Sequence, residues 1–179
     1  MTLEKALDDI EFNRVLDTYD FPKAFSYLDE AEEREKLFLL LQEENLNPLT
    51  GFTKIPGQFL KKCSKITKIE IPDTITSIGS SAFEDCSRLT SVVIGEGVTT
   101  IGDGAFSWCS GLTSVVIPNS MTTIDRKAFY RCDNLKEITF KGTRKEATQS
   151  GLGYLNRKKW SEGSSVEKVI CNDGVIKYW

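Results

Sequence analysis

The sequence predicts an α/β repeat fold: a short solenoid, preceded by a helical segment and closed by a C-terminal β-hairpin cap. Three observations carry this prediction. Cysteines recur at 63, 86, 109 and 132, one every 23 residues, and a fixed period of this size signals a stack of equivalent coils. Around them lie apolar columns: Ile55, Ile78, Ile101 and Ile124; Leu60, Phe83, Phe106 and Phe129; Ile66, Leu89, Leu112 and Leu135; Ile69, Val92, Val115 and Ile138. The period fails at both ends, which divides the chain into an acidic segment of two or three helices at 1–50, about four 23-residue units at 51–142, and a cap at 143–179.

In the first segment Leu3, Leu7 and Ile10 keep helical spacing, and Phe12, Val15, Leu16 and Tyr19 continue an apolar stripe after a change of phase. Asp20 before Phe21 and Pro22 is N-cap chemistry for a short helix reaching Leu28. A longer helix is expected from about Asp29. Its first turns hold Glu30, Glu32 and Glu33, which suit the positive end of a helix, and its buried face uses Leu37, Phe38, Leu40 and Leu41. Asn45, Asn47 and Pro48 end it. The stripes read as core packing, with a partner-binding helical module as the alternative.

Each repeat has three parts. Residues 112–117 form a β-branched strand ended by Pro118 and Asn119; 121–124 form a short extended piece; 126–133, with Ala128, Phe129 and Cys132, have the spacing of a helical turn or 3₁₀ segment. One coil therefore returns the chain to its start, displaced by about 4.8 Å.

The runs IPDTITSIGSSAFEDCSRLTSVVI, IGEGVTTIGDGAFSWCSGLTSVVI and IPNSMTTIDRKAFYRCDNLKEITF resemble the BspA-like, treponemal type of leucine-rich repeat. The resemblance implies a short leucine-rich-repeat solenoid and recognition of a protein or a host surface, since many such proteins look like adhesins or surface proteins. The first coil departs most, with Ile55-Pro56 for the Ile-Gly pair and Leu60 for phenylalanine, as a terminal coil does when it meets something other than a repeat. After Gly142, residues 144–150 read as a short helix, 151–153 as a loop and Trp160 as an anchor before a polar turn. Val166, Val169 and Cys171, Asn172-Asp173-Gly174, then Val175 and Ile176 read as a hairpin. The order of these elements looks like the C-terminal cap of BspA-like arrays.

Charge sharpens the division. Residues 1–50 hold 13 acids and 5 bases, a net −8, and 51–179 hold 13 acids and 18 bases, a net +5, which sum to the −3 of the whole chain. Lys54, Lys61, Lys62, Lys65 and Lys68 all precede the first acid of the repeats, Glu70. An acidic helical cap beside a basic first coil is the expectation. A nucleic-acid surface is disfavoured, because the lysines are not interleaved with aromatics and the chain is acidic.

Histidine is absent, which removes Ser-His-Asp and Cys-His nucleophiles and the HExxH metal helix. No GxSxG, Walker A, complete GxGxxG or EF-hand loop is present, and the carboxylates are scattered over the coils. No catalytic residue, cofactor or metal ligand is assigned, and an enzyme with an unrecognised site stays as the remote alternative. The stacked cysteines have Cα atoms at a bridging distance of about 5 Å, but parallel Cβ vectors, and a straight ladder cannot wrap a tetrahedral metal. They read, with Cys171, as buried apolar filling. The columns Thr76/Thr99/Thr122 and Ser77/Thr100/Thr123 read as β-favouring residues on a solvated face.

The better binding candidate is the outer face of the long strands. With Leu89, Val92 and Ile94 inward, alternation turns Lys68, Ser91, Ser114 and Glu137 outward in one column and Glu70, Val93, Val116 and Thr139 in the next. The expected function is a non-enzymatic protein–protein interaction module using this face, with the helical segment as cap or second surface and another protein as partner; the alternative is a secreted or surface adhesin fragment binding host protein or glycan. No run of about 18 apolar residues encodes a membrane span. Without a leader in this numbering, and with unpaired cysteines, a cytoplasmic location is favoured; a surface location follows if a leader was removed. Oligomeric state is left open.

Overall fold

The computed structural model describes residues 1–9, 16, 20–152, 161 and 164–178. The stripe residues Ile10, Phe12, Val15 and Tyr19, the loop residue Gly153 and the anchor Trp160 lie outside the described residues.

The repeats wind as predicted. Strands β1 (Lys54–Ile55), β3 (Ser77–Ile78), β5 (Thr100–Ile101) and β7 (Thr123–Ile124) stack in parallel, with Lys54 against Ser77, Ser77 against Thr100 and Thr100 against Thr123. The longer strands β2 (Lys68–Ile71), β4 (Ser91–Ile94), β6 (Ser114–Ile117) and β8 (Glu137–Phe140) form a second parallel ladder in the same 23-residue register. It is extended by β9 (Lys168–Cys171), parallel to β8, and by β10 (Gly174–Lys177), antiparallel to β9.

The third side of each coil differs from expectation. Residues 126–133 and their equivalents are successive turns rather than a helical segment, because two positions per coil, four residues apart, have left-handed backbone: Gln58 and Lys62, Ser81 and Asp85, Gly104 and Trp108, Lys127 and Arg131. Left-handed residues break an α or 3₁₀ run. They turn alternate amides toward the next coil instead. Gln58, Leu60 and Lys62 donate their N–H groups to the carbonyls of Ser80, Ala82 and Glu84, and the same three bonds recur from Ser81, Phe83 and Asp85, and from Gly104, Phe106 and Trp108.

Inside the coils every predicted column is buried. Phe83 and Phe106 stack at 5.2 Å and Phe106 and Phe129 at 5.4 Å, with their ring planes nearly parallel, so the phenylalanine column continues from coil to coil. Close approach of backbones sets the spacing at Gly79 and Gly102. A Cβ on Gly102 would lie 2.8 Å from the Ser80 nitrogen and 3.0 Å from the Gly79 carbonyl carbon.

The described part of 1–50 contains α1 (Leu3–Leu7), α2 (Phe21–Ser26) and α3 (Ala31–Glu43). Asp20 caps α2 through the Lys23 amide, as its sequence predicts. On α3 the buried face carries Leu37, Phe38 and Leu41 but not Leu40, which is exposed; Glu35 is buried instead. The helical phase explains this, since 34, 38 and 41 share a face and 40 points away. Phe25, Phe52 and Phe59 pack edge to face or tilted at 5.0 to 5.9 Å and join the helices to the first coil.

Polar groups complete that junction. Arg34 Nε donates to the Phe59 carbonyl at 2.7 Å, and its Nη1 to the carbonyls of Leu28 and Asp29. Glu35 Oε1 accepts from the amides of Lys65 at 2.7 Å and Ile66 at 3.3 Å. Asn47 Nδ2 donates to the Glu70 carbonyl on the edge of β2 at 3.3 Å. At the other end, Thr143 and Glu146 form a reciprocal capping box on α4 (Arg144–Ala147), which a π-type turn at Thr148–Leu152 follows. The hairpin loop is Asn172-Asp173; Asn172 donates to the carbonyls of Gly142 and Lys141, and Asp173 accepts from the Arg144 amide.

Candidate functional site

Alternation along the long strands places the eight predicted residues on one outer face. Lys68, Glu70, Ser114, Glu137 and Thr139 are exposed, Val93 is 37% exposed, and Ser91 and Val116 are half-buried, while Ile69, Val92, Val115 and Ile138 between them are buried. Strand pairing brings them into rows: Lys68 beside Ser91 and Ser91 beside Ser114; Glu70 beside Val93, Val93 beside Val116, Val116 beside Thr139.

The hairpin lengthens both rows beyond the residues predicted from sequence. Thr139 pairs with Ile170 and Ile170 with Val175; Glu137 pairs with Lys168 and Lys168 with Lys177. One row therefore reads Glu70, Val93, Val116, Thr139, Ile170, Val175 across six strands, four aliphatic residues and a threonine with a carboxylate at one end. Val175 is exposed and Ile170 half-buried. The second row is polar, and in it Lys168 Nζ lies 2.8 Å from Glu137 Oε2; hydrogen bonding to that carboxylate raises the Lys168 pKa.

At the β2 edge the face opens into a groove of 420 Å³, whose walls are Lys68 and Glu70 on the strand side and Phe38, Gln42, Leu46 and Asn47 on the helical side. The helical segment thus stands beside the strand face as a second wall.

The columns set aside as structural behave so, with more chemistry than filling. Each repeat thiol donates to a carbonyl one coil back: Cys86 to Leu60 at 3.2 Å, Cys109 to Phe83 at 3.1 Å and Cys132 to Phe106 at 3.1 Å. Cys63 has no coil behind it and donates to Ala31 of α3 at 3.5 Å. All five cysteines are free and buried. Burial pushes the thiol pKa of Cys63 far up and that of Cys132 up to about 12; Cys86 is raised by its contact with the Cys109 thiol and by burial, and Cys171 by burial. Such thiols are poor nucleophiles. The threonines form hydroxyl ladders, Thr99 donating to the Thr76 carbonyl at 3.1 Å and Thr122 to that of Thr99 at 3.0 Å. Among the described residues no group of three or more acidic or cysteine side chains is placed to hold a metal ion, and no helix is long and apolar enough to cross a membrane.

Residues 46–170 match the model of the BspA type leucine rich repeat region in 6 copies. Those copies reach past the four units expected at 51–142, to the strand that extends the sheet. Two solved structures share the fold. A leucine rich cell surface protein from Faecalibacterium prausnitzii A2-165 superposes with a TM-score of 0.54 at 22% identity, over 69% of this chain and 30% of its own. A leucine-rich repeat protein from Bacteroides ovatus ATCC 8483 gives 0.53 at 25% identity, over 68% and 28% respectively. The chain thus spans less than a third of the length of either. Among curated proteins none matches.

Proposed function

Because the chain belongs to the BspA-type leucine-rich repeat family, we propose that it is a non-enzymatic protein-binding module whose partner lies across the outer face of the long strands. The row from Glu70 through Val93, Val116, Thr139 and Ile170 to Val175 carries the proposal. The inward residues of these strands form the buried core that holds the coils together, and the outward aliphatic residues add only neighbour contacts along the sheet.

Size decides how the face is used. Six strands spaced by about 4.8 Å and four residues of about 3.3 Å each offer a patch of roughly 300 Å², well below the ~800 Å² per partner of a standard interface. A partner therefore extends into the groove between Lys68, Glu70 and the helical wall. In this reading 1–50 serves as cap and second surface, 51–142 as the recognition body and 143–179 as a cap that widens the face. The five unpaired thiols favour a reducing compartment. A surface adhesin is the second reading, favoured by the description of the Faecalibacterium protein as a cell surface protein.

Site-specific photocrosslinking tests the proposal. A photoreactive phenylalanine analogue at position 93 should yield a discrete adduct in the source cells, one at position 99 among the threonines should not, and Val116→Lys should suppress the first. Equal adducts from both positions, or adducts only from 1–50, would sink the strand-face assignment.

A further inference from the structure

Trp108 is 47% exposed, in a column otherwise filled by Lys62, Asp85 and Arg131. Its φ of 62° is in the left-handed region, as at the other three positions, and bulky side chains avoid that conformation. The coil requires the backbone geometry but not the indole, since aspartate meets the same requirement one coil earlier.

What the indole does touch is specific. The Tyr130 ring meets it edge to face at 5.7 Å. The Arg131 guanidinium lies over both rings, 5.5 Å from the Trp108 centroid and 6.0 Å from that of Tyr130, and Lys127 Nζ lies 5.3 Å from the Tyr130 centroid. Neither Arg131 nor Lys127 forms an ion pair with a carboxylate among the described residues. Two aromatic rings therefore hold a planar cation in place with no carboxylate among the described residues paired to it. A guanidinium fixed in this way is preorganised for bidentate binding of a carboxylate.

We propose that Trp108, Tyr130, Arg131 and Lys127 form a second docking site, on the turn side of the solenoid, for an acidic polypeptide stretch that carries an aromatic residue. Arg131 takes one carboxylate through its fork, Lys127 takes another, and the open part of the indole packs on the aromatic side chain between them. Nucleic acid fits less well. Asp85 neighbours Trp108 in its column and Asp133 follows Arg131 by two residues, so a continuous phosphate backbone would meet both, whereas carboxylates spaced by an apolar residue would not. A neutral sugar would use the indole and leave both cations unmatched. The site lies on a different side of the coil from the strand face, and the inference does not rest on the strand-face reading.

The test uses the full chain and fluorescence anisotropy of the labelled peptide Glu-Phe-Glu-Glu-Phe-Glu, with serine-for-glutamate and glycine-for-phenylalanine versions as controls and a heparin fragment as competitor. Saturable binding of the first peptide alone is expected. Trp108→Asn should weaken it about tenfold or more, a change of about 1.4 kcal/mol, without lowering the melting temperature, because asparagine tolerates the left-handed backbone. Arg131→Lys, which keeps the charge and removes the fork, should weaken it similarly, whereas Val93→Lys/Val116→Lys should bind as the parent does. Absence of saturable binding, unchanged affinity in Trp108→Asn, tighter binding of heparin through the same residues, or equal loss in the strand-face variant would each overturn the proposal.

Discussion

The Arg34 guanidinium stands in for a missing coil at Phe59. In later coils the carbonyls of Ala82, Ala105 and Ala128, in the same column, each receive a backbone N–H from the preceding coil, and Phe59 receives Arg34 Nε at 2.7 Å. Replacing Arg34 by Met should keep the stem's packing and lose the bonds to Phe59, Leu28 and Asp29. At about 1.5–3 kcal/mol for hydrogen bonds to a charged group, a loss of about 2–3 kcal/mol is expected in urea unfolding. Arg34→Lys should recover little of it, because one ammonium lacks the span to reach all three carbonyls. Full recovery by lysine would show that charge alone matters.

Glu35 supplies the acceptor that matches this donor. It is 4% exposed, and its Oε1 takes the amides of Lys65 and Ile66. Glu35→Ala leaves those amides without that acceptor at the junction and should cost about 2 kcal/mol, while Glu35→Gln keeps an acceptor oxygen and should cost about 1 kcal/mol. Equal losses from the two variants would show that the oxygen is not what the junction needs.

Gly102→Ala tests the coil spacing. The added methyl meets backbone atoms of residues 78–80 at 2.8 to 3.0 Å, and backbone cannot rotate away as a side-chain end can. Overpacking of this kind costs about 1–3 kcal/mol. A melting curve unchanged from the parent would mean that adjacent coils separate more freely than their hydrogen bonds suggest.

The buried thiols make the fold sensitive to alkali. The pKa of Cys132 is raised to about 12, and those of Cys63, Cys86 and Cys171 are also raised, whereas an unfolded cysteine titrates near about 8.5. Above that pH the unfolded chain binds fewer protons than the folded one, so stability is complete below about pH 8.5 and falls as pH rises toward about 12. Chemical unfolding from pH 7 to 11 should show the decline. A thiol reagent at pH 8 should label none of the repeat cysteines in the folded chain and all of them in denaturant. Rapid labelling of Cys86 or Cys109 in the native state would contradict the buried ladder.

The columns were legible because stacking repeats the same demand every 23 residues, and Phe83, Phe106 and Phe129 answer it with the same residue. The outward positions of the long strands were legible for the complementary reason: period-two alternation sends Val93 out whenever Val92 goes in. The turn side was misread because Ala128, Phe129 and Cys132 have helical spacing, while the left-handed residues Lys127 and Arg131 carry none of the usual glycine or asparagine signal. Nothing local in the sequence singles out Arg34 and Glu35, since the groups of the first coil that they bond, at Phe59, Lys65 and Ile66, lie 25 to 31 residues away in the chain. The hairpin itself could be read from its turn. Its place beside β8, which adds Ile170 and Val175 to the strand face, depends on a connection whose path no local pattern fixes.

On the turn side, the Ser80 carbonyl and the Ser81 amide belong to one peptide group, and the Ser81 amide bonds onward to Asp103. The same holds through Ala82-Phe83 to Ala105 and through Glu84-Asp85 to Ser107. Three unbroken chains of peptide dipoles, each dipole about 3.5 D, therefore point the same way along the solenoid axis, as they do in an α-helix. The turn side has a negative pole at the first coil and a positive pole at the fourth. Arg34 occupies the negative pole as a cation does at a helix C-terminus, and a carboxylate approaching Lys127 and Arg131 would do so from the positive one.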